Sequence, residues 1–265
     1  MGLPVSGKVL AGSEIGGGNV CRLAERIGIV TGASSGIGLA IANTLADEGA
    51  VIYAVSRSGE PKDGSAYHHR VVGVKGDVTD YAAMESIVRE IGEKEGIDFL
   101  VNNAGITVRR RAELFSDTDF DRIHRVNVHG VFKLSCLCFP YLRGSRFVGR
   151  IVNIASMAAY QGFSEVVPYC SSKAAVLGLT RGLAVEWCRD NILVNSVSPG
   201  WFPSELTKGV MDPERKAKIL NKIPLGSFGD PQAVAAMVRF LLSDNALYIT
   251  GQDFSVDGGA LSYGF

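Results

Sequence analysis

Short apolar runs and longer amphipathic stretches alternate along this chain from about residue 26 onward. The runs Ile27–Thr31, Val51–Ser56, Val71–Lys75, Phe99–Asn102, Arg150–Ile154, Leu193–Val197 and Asp253–Val256 read as strands. Apolar residues at helical spacing predict helices over Gly38–Glu48, Tyr81–Glu93, Asp117–Phe139, Tyr169–Arg189 and Pro231–Leu242. Near-continuous apolar strands need cover on both faces, and the intervening helices supply it. The pattern therefore predicts an α/β fold: a single doubly wound domain, with a parallel sheet between two helical layers. No break in composition divides residues 26–265, and no solenoid repeat is visible. Residues 1–25 are Gly-rich, follow neither period and read as a flexible or loosely packed N-terminal arm. The least regular stretch is Pro199–Gly229, with Pro203, Pro213 and Pro224 and a short helical piece at Pro213–Asn221. An insertion at the carboxyl ends of the strands is where a substrate lid would sit.

Composition narrows the classes. Apolar residues make up 46% and charged residues 20%, as in ordinary soluble globular proteins. With 27 basic and 27 acidic side chains there is no global attraction to nucleic acid or an anionic membrane. No apolar run approaches the ~18 residues needed to span a bilayer. Residues 1–20 lack the basic and apolar regions of a secretory signal. Met1-Gly2 with Ser6 fits a myristoylation pattern only as a short, cheap match. The five cysteines are irregularly spaced without a CxxC pair, so they read as reduced thiols of a cytoplasmic protein. No histidine pairs at metal-ligand spacing, so no metal is expected.

The first strand runs into Thr31-Gly32-Ala33-Ser34-Ser35-Gly36-Ile37-Gly38, and a helix follows. Gly32 permits a tight turn, Gly36 lets backbone approach a pyrophosphate, and Gly38 lets helix and strand pack closely. The helix N-terminus then presents free N–H groups to an anion. Placement between strand and helix reads as a dinucleotide-binding loop of a Rossmann-type domain, with Ser34, Ser35 and Ile37 beside the phosphates.

Thr-Gly-x-x-x-Gly-x-Gly resembles the short-chain dehydrogenase/reductase family, and the resemblance extends over about residues 26–260. Asn102-Asn103-Ala104-Gly105 is similar to the family's turn after the fourth strand, and Asn127 to its helix asparagine. Ser156, Tyr169 and Lys173 match its Ser and YxxxK. Pro199-Gly200 matches a further turn, with Ser204 where threonine is more usual, and Asp257-Gly258-Gly259 matches a C-terminal motif. The resemblance implies cofactor contacts from Asn103, Ala104, Gly105, Pro199, Gly200 and Ser204, and from Asp77 and Val78 near the adenine. Asp77 could instead cap the next turn.

Tyr169 and Lys173 lie four apart on one helix face. A free tyrosine has a pKa near ~10. A neighbouring ammonium favours the phenolate and is expected to lower that value. Tyr169 then exchanges the proton while hydride moves. The resemblance adds that Lys173 bonds the nicotinamide ribose, that Ser156 holds the substrate oxygen, and that Asn127 holds a relay water. It also implies a homotetramer, or at least a dimer. The apolar Val176, Leu177, Leu179, Leu183 and Val185 on the Tyr169–Arg189 helix agree with such pairing. A non-catalytic nucleotide sensor on the same fold would need neither Tyr169 nor Lys173.

An NAD enzyme usually carries Asp or Glu at the end of the second strand to accept the ribose 2′-OH. Here the strand ends in Ser56-Arg57-Ser58. Arg57 could pair with a 2′-phosphate, so NADP(H) is favoured and NAD(H) tolerated. Ser35, where NADP-preferring relatives often carry a basic residue, counts against this. For the small-molecule substrate, the chain most resembles sugar-acid members such as gluconate 5-dehydrogenase and 2-dehydro-3-deoxy-D-gluconate 5-dehydrogenase. Arg109-Arg110 after the NNAG turn, Ile154-Ala155-Ser156-Met157 and Gln161-Gly162 carry that likeness. Arg109 or Arg110 could grip a carboxylate through two parallel hydrogen bonds. The alternative is a 3-oxoacyl-carrier-protein reductase.

Overall fold

The structure is a computed structural model and describes residues 23–62, 64–202 and 213–263. Seven parallel strands form one sheet: β1 (Ile27–Thr31), β2 (Val51–Ser56), β3 (Val71–Lys75), β4 (Phe99–Asn102), β5 (Gly149–Ile154), β6 (Ile192–Pro199) and β7 (Asp253–Val256). Their order across the sheet is β3-β2-β1-β4-β5-β6-β7. The order reverses beside β1, where β1 pairs with β2 on one side and β4 on the other. That reversal opens a crevice at the carboxyl ends of the strands, the usual ligand position in such sheets.

Successive side chains along a strand point to opposite faces. Ile29 and Val30 on β1 accordingly enter two different cores. Val30 joins Ile52, Val101 and Val152 beneath helices α1 (Gly36–Asp47) and, late in the chain, Pro231–Leu242. Ile29 joins Leu100, Ile151 and Val194 beneath α2 (Tyr81–Lys94) and two further helices. Those helices are α4 (Val131–Gly144) and α5 (Val167–Trp187), which contribute Leu134, Leu142, Leu183 and Trp187. Burying each such aliphatic side chain is worth about 1.5–3 kcal/mol, so the two layers hold the sheet rigid beneath the crevice.

The expected helix over Asp117–Phe139 is three pieces. Helix α3 (Asp117–His124) gives way to a π-helical segment, Arg125–Gly130, before α4 begins. Helix α4 also passes Pro140, where the sequence pattern stops. The proline forfeits one intrahelical bond, but the next turn buries Leu142 in the core, which favours continuation. At the other end of this layer, α5 starts at Val167, two residues earlier than expected. Pro168 lies in its first turn, where a missing N–H costs nothing. In the late irregular stretch, α6 spans Pro213–Leu220, and α7 is the Pro231–Leu242 helix. None of the described helices is long and apolar enough to cross a membrane.

Candidate active site

A cleft of about 2340 Å³ runs along the carboxyl ends of the strands. Its walls include Gly32, Ser34, Ser35, Gly36, Ile37 and Gly38 from the first loop, and Ser56 and Arg57 from the end of β2. Asp77 and Val78 follow β3; Asn103, Ala104 and Gly105 follow β4; Ser156 follows β5; Pro199 and Gly200 end β6. Tyr169 and Lys173 enter from α5. The residues expected from sequence line one crevice, except at three positions. Asn127 is fully buried behind the lining. Ser204 lies outside the described residues. Arg110 does not line the cleft, because its guanidinium turns to Asp119 at 3.1 Å. Of the two arginines, Arg109 lines the cleft and Arg110 does not.

The phosphate loop fits a dinucleotide. Gly36 has φ +54°, and a Cβ built there would meet nothing within 4 Å, so the loop leaves an open cradle. At Gly38 a Cβ would collide with the Gly32 carbonyl and the Asn103 carboxamide. Only glycine lets the first turn of α1 sit that close. Ser35, the residue before α1, makes no side-chain capping bond to the helix N–H groups. An anion in the cradle would meet those donors.

Thr31, which sequence reading left without a role, locks this loop to the next one. Its buried hydroxyl accepts the N–H groups of Asn103 and Ala104, both at 3.0 Å. The Asn103 carboxamide returns two bonds, to Thr31 O at 2.9 Å and Gly32 O at 3.1 Å. Asp77 takes the N–H of Thr79 at 2.9 Å and its hydroxyl at 2.7 Å. Asp77 thus closes the turn at Thr79 and also lines the cleft.

At the reacting end, Asn127 is fully buried within the π-helical segment. Its carboxamide bonds both main-chain groups of Ile106, and donates to Ser172 Oγ at 3.0 Å. Ser172 in turn donates to Tyr169 O at 2.7 Å. The π segment was not legible in sequence: Val126, Asn127, Val128, His129 and Gly130 are weak helix formers, but that composition does not distinguish a π turn from an α-helical one. Lys173 is 5% exposed, and its ammonium donates to Ile154 O at 2.7 Å. Burial draws its pKa down to about 8. The Lys173 nitrogen stands 5.7 Å from the centre of the Tyr169 ring.

Burial pushes the Tyr169 phenol above its usual pKa, and a hydrogen bond with the Ser156 side chain opposes the shift. The expectation of a lowered pKa is thus corrected for the chain by itself. Desolvation of the phenolate outweighs the neighbouring groups, and the lysine's nearest bond is to a carbonyl instead of to the phenol. The neutral phenol is a proton donor.

The other half of the cleft has an apolar wall of Met157, Phe163, Trp201 and Phe228, with Phe163 and Trp201 edge to face at 5.7 Å. Arg109 lines the same cleft; its Nε donates to Glu165 at 2.6 Å while Nη2 reaches the same carboxylate oxygen. Glu165 adopts φ +70°, uncommon outside glycine. Its carbonyl also takes the Arg110 N–H at 2.7 Å, so it ties the two loops that flank this end. Glu165 and the aromatic wall escaped sequence reading because they meet only through the fold.

A family model described as enoyl-(acyl carrier protein) reductase matches residues 32–260. The chain is 37% identical over 244 residues to the 3-oxoacyl-[acyl-carrier-protein] reductase FabG of Thermotoga maritima, covering 90% of this chain and 98% of the relative. It is 35% identical over 250 residues to the 2-dehydro-3-deoxy-D-gluconate 5-dehydrogenase of Dickeya dadantii, covering 92% and 98%. A gluconate 5-dehydrogenase structure from Burkholderia cenocepacia, in complex with NADP and tartrate, superposes with a TM-score of 0.83. It is 30% identical, with 91% of this chain and 97% of that one covered. The matched length, the sheet order and the Ser–Tyr–Lys cleft agree: the chain belongs to the short-chain dehydrogenase/reductase family of NAD(P)-dependent oxidoreductases.

Proposed function

We propose that the protein interconverts a secondary alcohol and a ketone using NADP(H), with Tyr169 exchanging the proton. The observation that carries this is the convergence of Ser156, the Tyr169 phenol and the buried Lys173, whose nitrogen stands 5.7 Å from the Tyr169 ring centre, in a cleft that starts in a glycine cradle. When bound, the nicotinamide supplies or takes up the hydride. Gly32, Ser34, Ser35, Gly36, Ile37 and Gly38 hold the phosphates. Asp77 and Val78 border the adenine, while Asn103, Ala104, Gly105, Pro199 and Gly200 line the path toward Lys173 and Tyr169. Ser156 holds the substrate oxygen and stabilises charge developing there. Tyr169 donates its proton to that oxygen in reduction and takes it back in oxidation. Asn127 fixes the loop at Ile106 and the main chain at Tyr169 through Ser172, which orients both.

The cofactor reading rests on the end of β2. Ser56 stands where a carboxylate would accept a 2′-OH, and Arg57 is exposed beside it in the cleft. For the substrate, a sugar acid or polyol is the first reading, supported by polar Gln161, Arg109 and Glu165 in the cleft. A 3-oxoacyl thioester is the second, favoured by the apolar wall of Met157, Phe163, Trp201 and Phe228. The test is a panel of keto sugar acids, polyols and acetoacetyl thioesters, followed by NADPH consumption or NADP⁺ reduction. Turnover of sugar acids with silent thioesters is expected; the reverse pattern selects the second reading. Silence across the panel with tight NADPH binding would contradict both and favour a nucleotide sensor.

A further inference from the structure

We infer that Lys62, in the crossover from β2 to β3, is a second cation for the cofactor's 2′-phosphate and supplies the charge that the phosphate loop lacks at Ser35. The inference rests on the NADP(H) reading above. That crossover contains no helix among its described residues; it is a coil held by specific bonds. Asn43 on α1 donates to Ala66 O and accepts from His68 N, both at 3.0 Å. His68 faces Asp47 on the same helix at 3.3 Å. Nearer the cleft, Gly59 N–H donates to Ser56 Oγ at 3.1 Å, and Lys62 N–H donates to Ser34 O at 2.9 Å.

The last bond decides the placement. It joins the main chain of Lys62 to the residue next to Ser35. Arg57, Ser58, Lys62, Ser34 and Ser35 then share one end of the cleft. Neither Arg57 nor Lys62 forms an ion pair with a described residue. The nearby carboxylate Glu60 is exposed and lies outside the lining. Two cations lining the cleft with a serine pair, and no carboxylate at the end of β2, suit a phosphomonoester and give a bare ribose hydroxyl no advantage.

The test measures dissociation constants of NADPH and NADH by fluorescence for the full chain and for Lys62→Ala, Lys62→Arg and Arg57→Ala. Lys62 is exposed and its anchoring bond is main-chain, so the variants keep the fold. The expected result is a loss of roughly tenfold in NADPH affinity for Lys62→Ala, with NADH within about twofold and Lys62→Arg near wild type. If Lys62→Ala leaves NADPH binding intact while Arg57→Ala weakens it, the role of Lys62 is overturned and the cofactor reading stands. If the unaltered protein binds both nucleotides equally and no variant separates them, the cofactor reading falls as well. An equal loss for both nucleotides also overturns the role assigned to Lys62.

Discussion

Asn127 holds the main chain of Ile106 from both sides: its Oδ1 takes the Ile106 N–H at 2.9 Å, and its Nδ2 donates to the Ile106 carbonyl at 2.9 Å. The loop immediately after the NNAG turn is thereby fixed to the helix that packs against α5. The π-helical segment around Asn127 has a physical role here, because such segments re-aim a side chain within an otherwise continuous helix. Replacing Asn127 with Leu removes both partners of the part-buried main chain of Ile106. A stability loss of about 1–3 kcal/mol is expected, read as a shift in denaturation midpoint. Turnover should fall more than NADPH affinity, because Asn127 faces the reacting end. Unchanged stability together with unchanged kcat would contradict this role.

Lys173 couples stability to pH in a direction opposite to most lysines. Its folded pKa, about 8, lies below the ordinary value near ~10.4. Below pH 8 both folded and unfolded chains carry the ammonium, and the folded one bears its burial cost. Between about pH 8 and 10.4 the folded chain releases the proton first, so this group adds stability as pH rises. Lys173→Met removes the buried charge. In the cofactor-free protein, the variant's Tm relative to wild type should be more favourable at pH 7 than at pH 10. A difference that does not move with pH would contradict a buried, depressed lysine.

The Arg109–Glu165 pair is half-exposed, and exposed pairs are worth about 0–1 kcal/mol, so a substrate carboxylate can displace Glu165 at little cost. Glu165→Gln should lower KM for a sugar acid by about two- to fivefold and leave a matching neutral polyol unaffected. Charge reversal at Arg109 should raise KM for the acid selectively. Reversal at Arg110, which faces Asp119 away from the cleft, should do neither. If Glu165→Gln and Arg109 reversal change acid and polyol kinetics alike, the carboxylate reading fails.

For assembly, much of the apolar surface noted on α5 is used inside the chain. Val176, Leu177 and Leu183 are buried in its own cores, whereas Val185 is 79% exposed beside the exposed Gly178 and Gly182. Phe132 on the neighbouring α4 is also exposed. This leaves a narrow, small-sided apolar strip that a second copy could cover. Light scattering at micromolar concentration should give a dimer or tetramer mass, reduced by Val185→Glu. A monomer mass for the unaltered protein would contradict pairing.

The strands and the glycine cradle were legible in sequence because period and motif are local. All seven predicted strands form, and Gly36 and Gly38 take the conformations that the loop requires. What was not legible depends on contacts between distant segments. The π turn at Asn127 is set by bonding to Ile106, 21 residues away. Arg110 was one of two candidates for a carboxylate grip, but its partner Asp119 meets it only after the loop folds. The phenol of Tyr169 was expected to be lowered by Lys173, four residues on. The helix does bring the pair together, yet the bond from Lys173 to Ile154 and the burial of both groups come from tertiary packing.

The central claim is that Tyr169 is the proton-exchanging group, and Tyr169→Phe tests it most directly. The phenol oxygen is the only atom lost, and cofactor binding should persist. NADPH titration of the variant should return a near-wild-type dissociation constant. Pre-steady-state reduction of the best substrate should slow by about 10²–10⁴-fold. Near-wild-type turnover in Tyr169→Phe, with NADPH bound, would contradict the account.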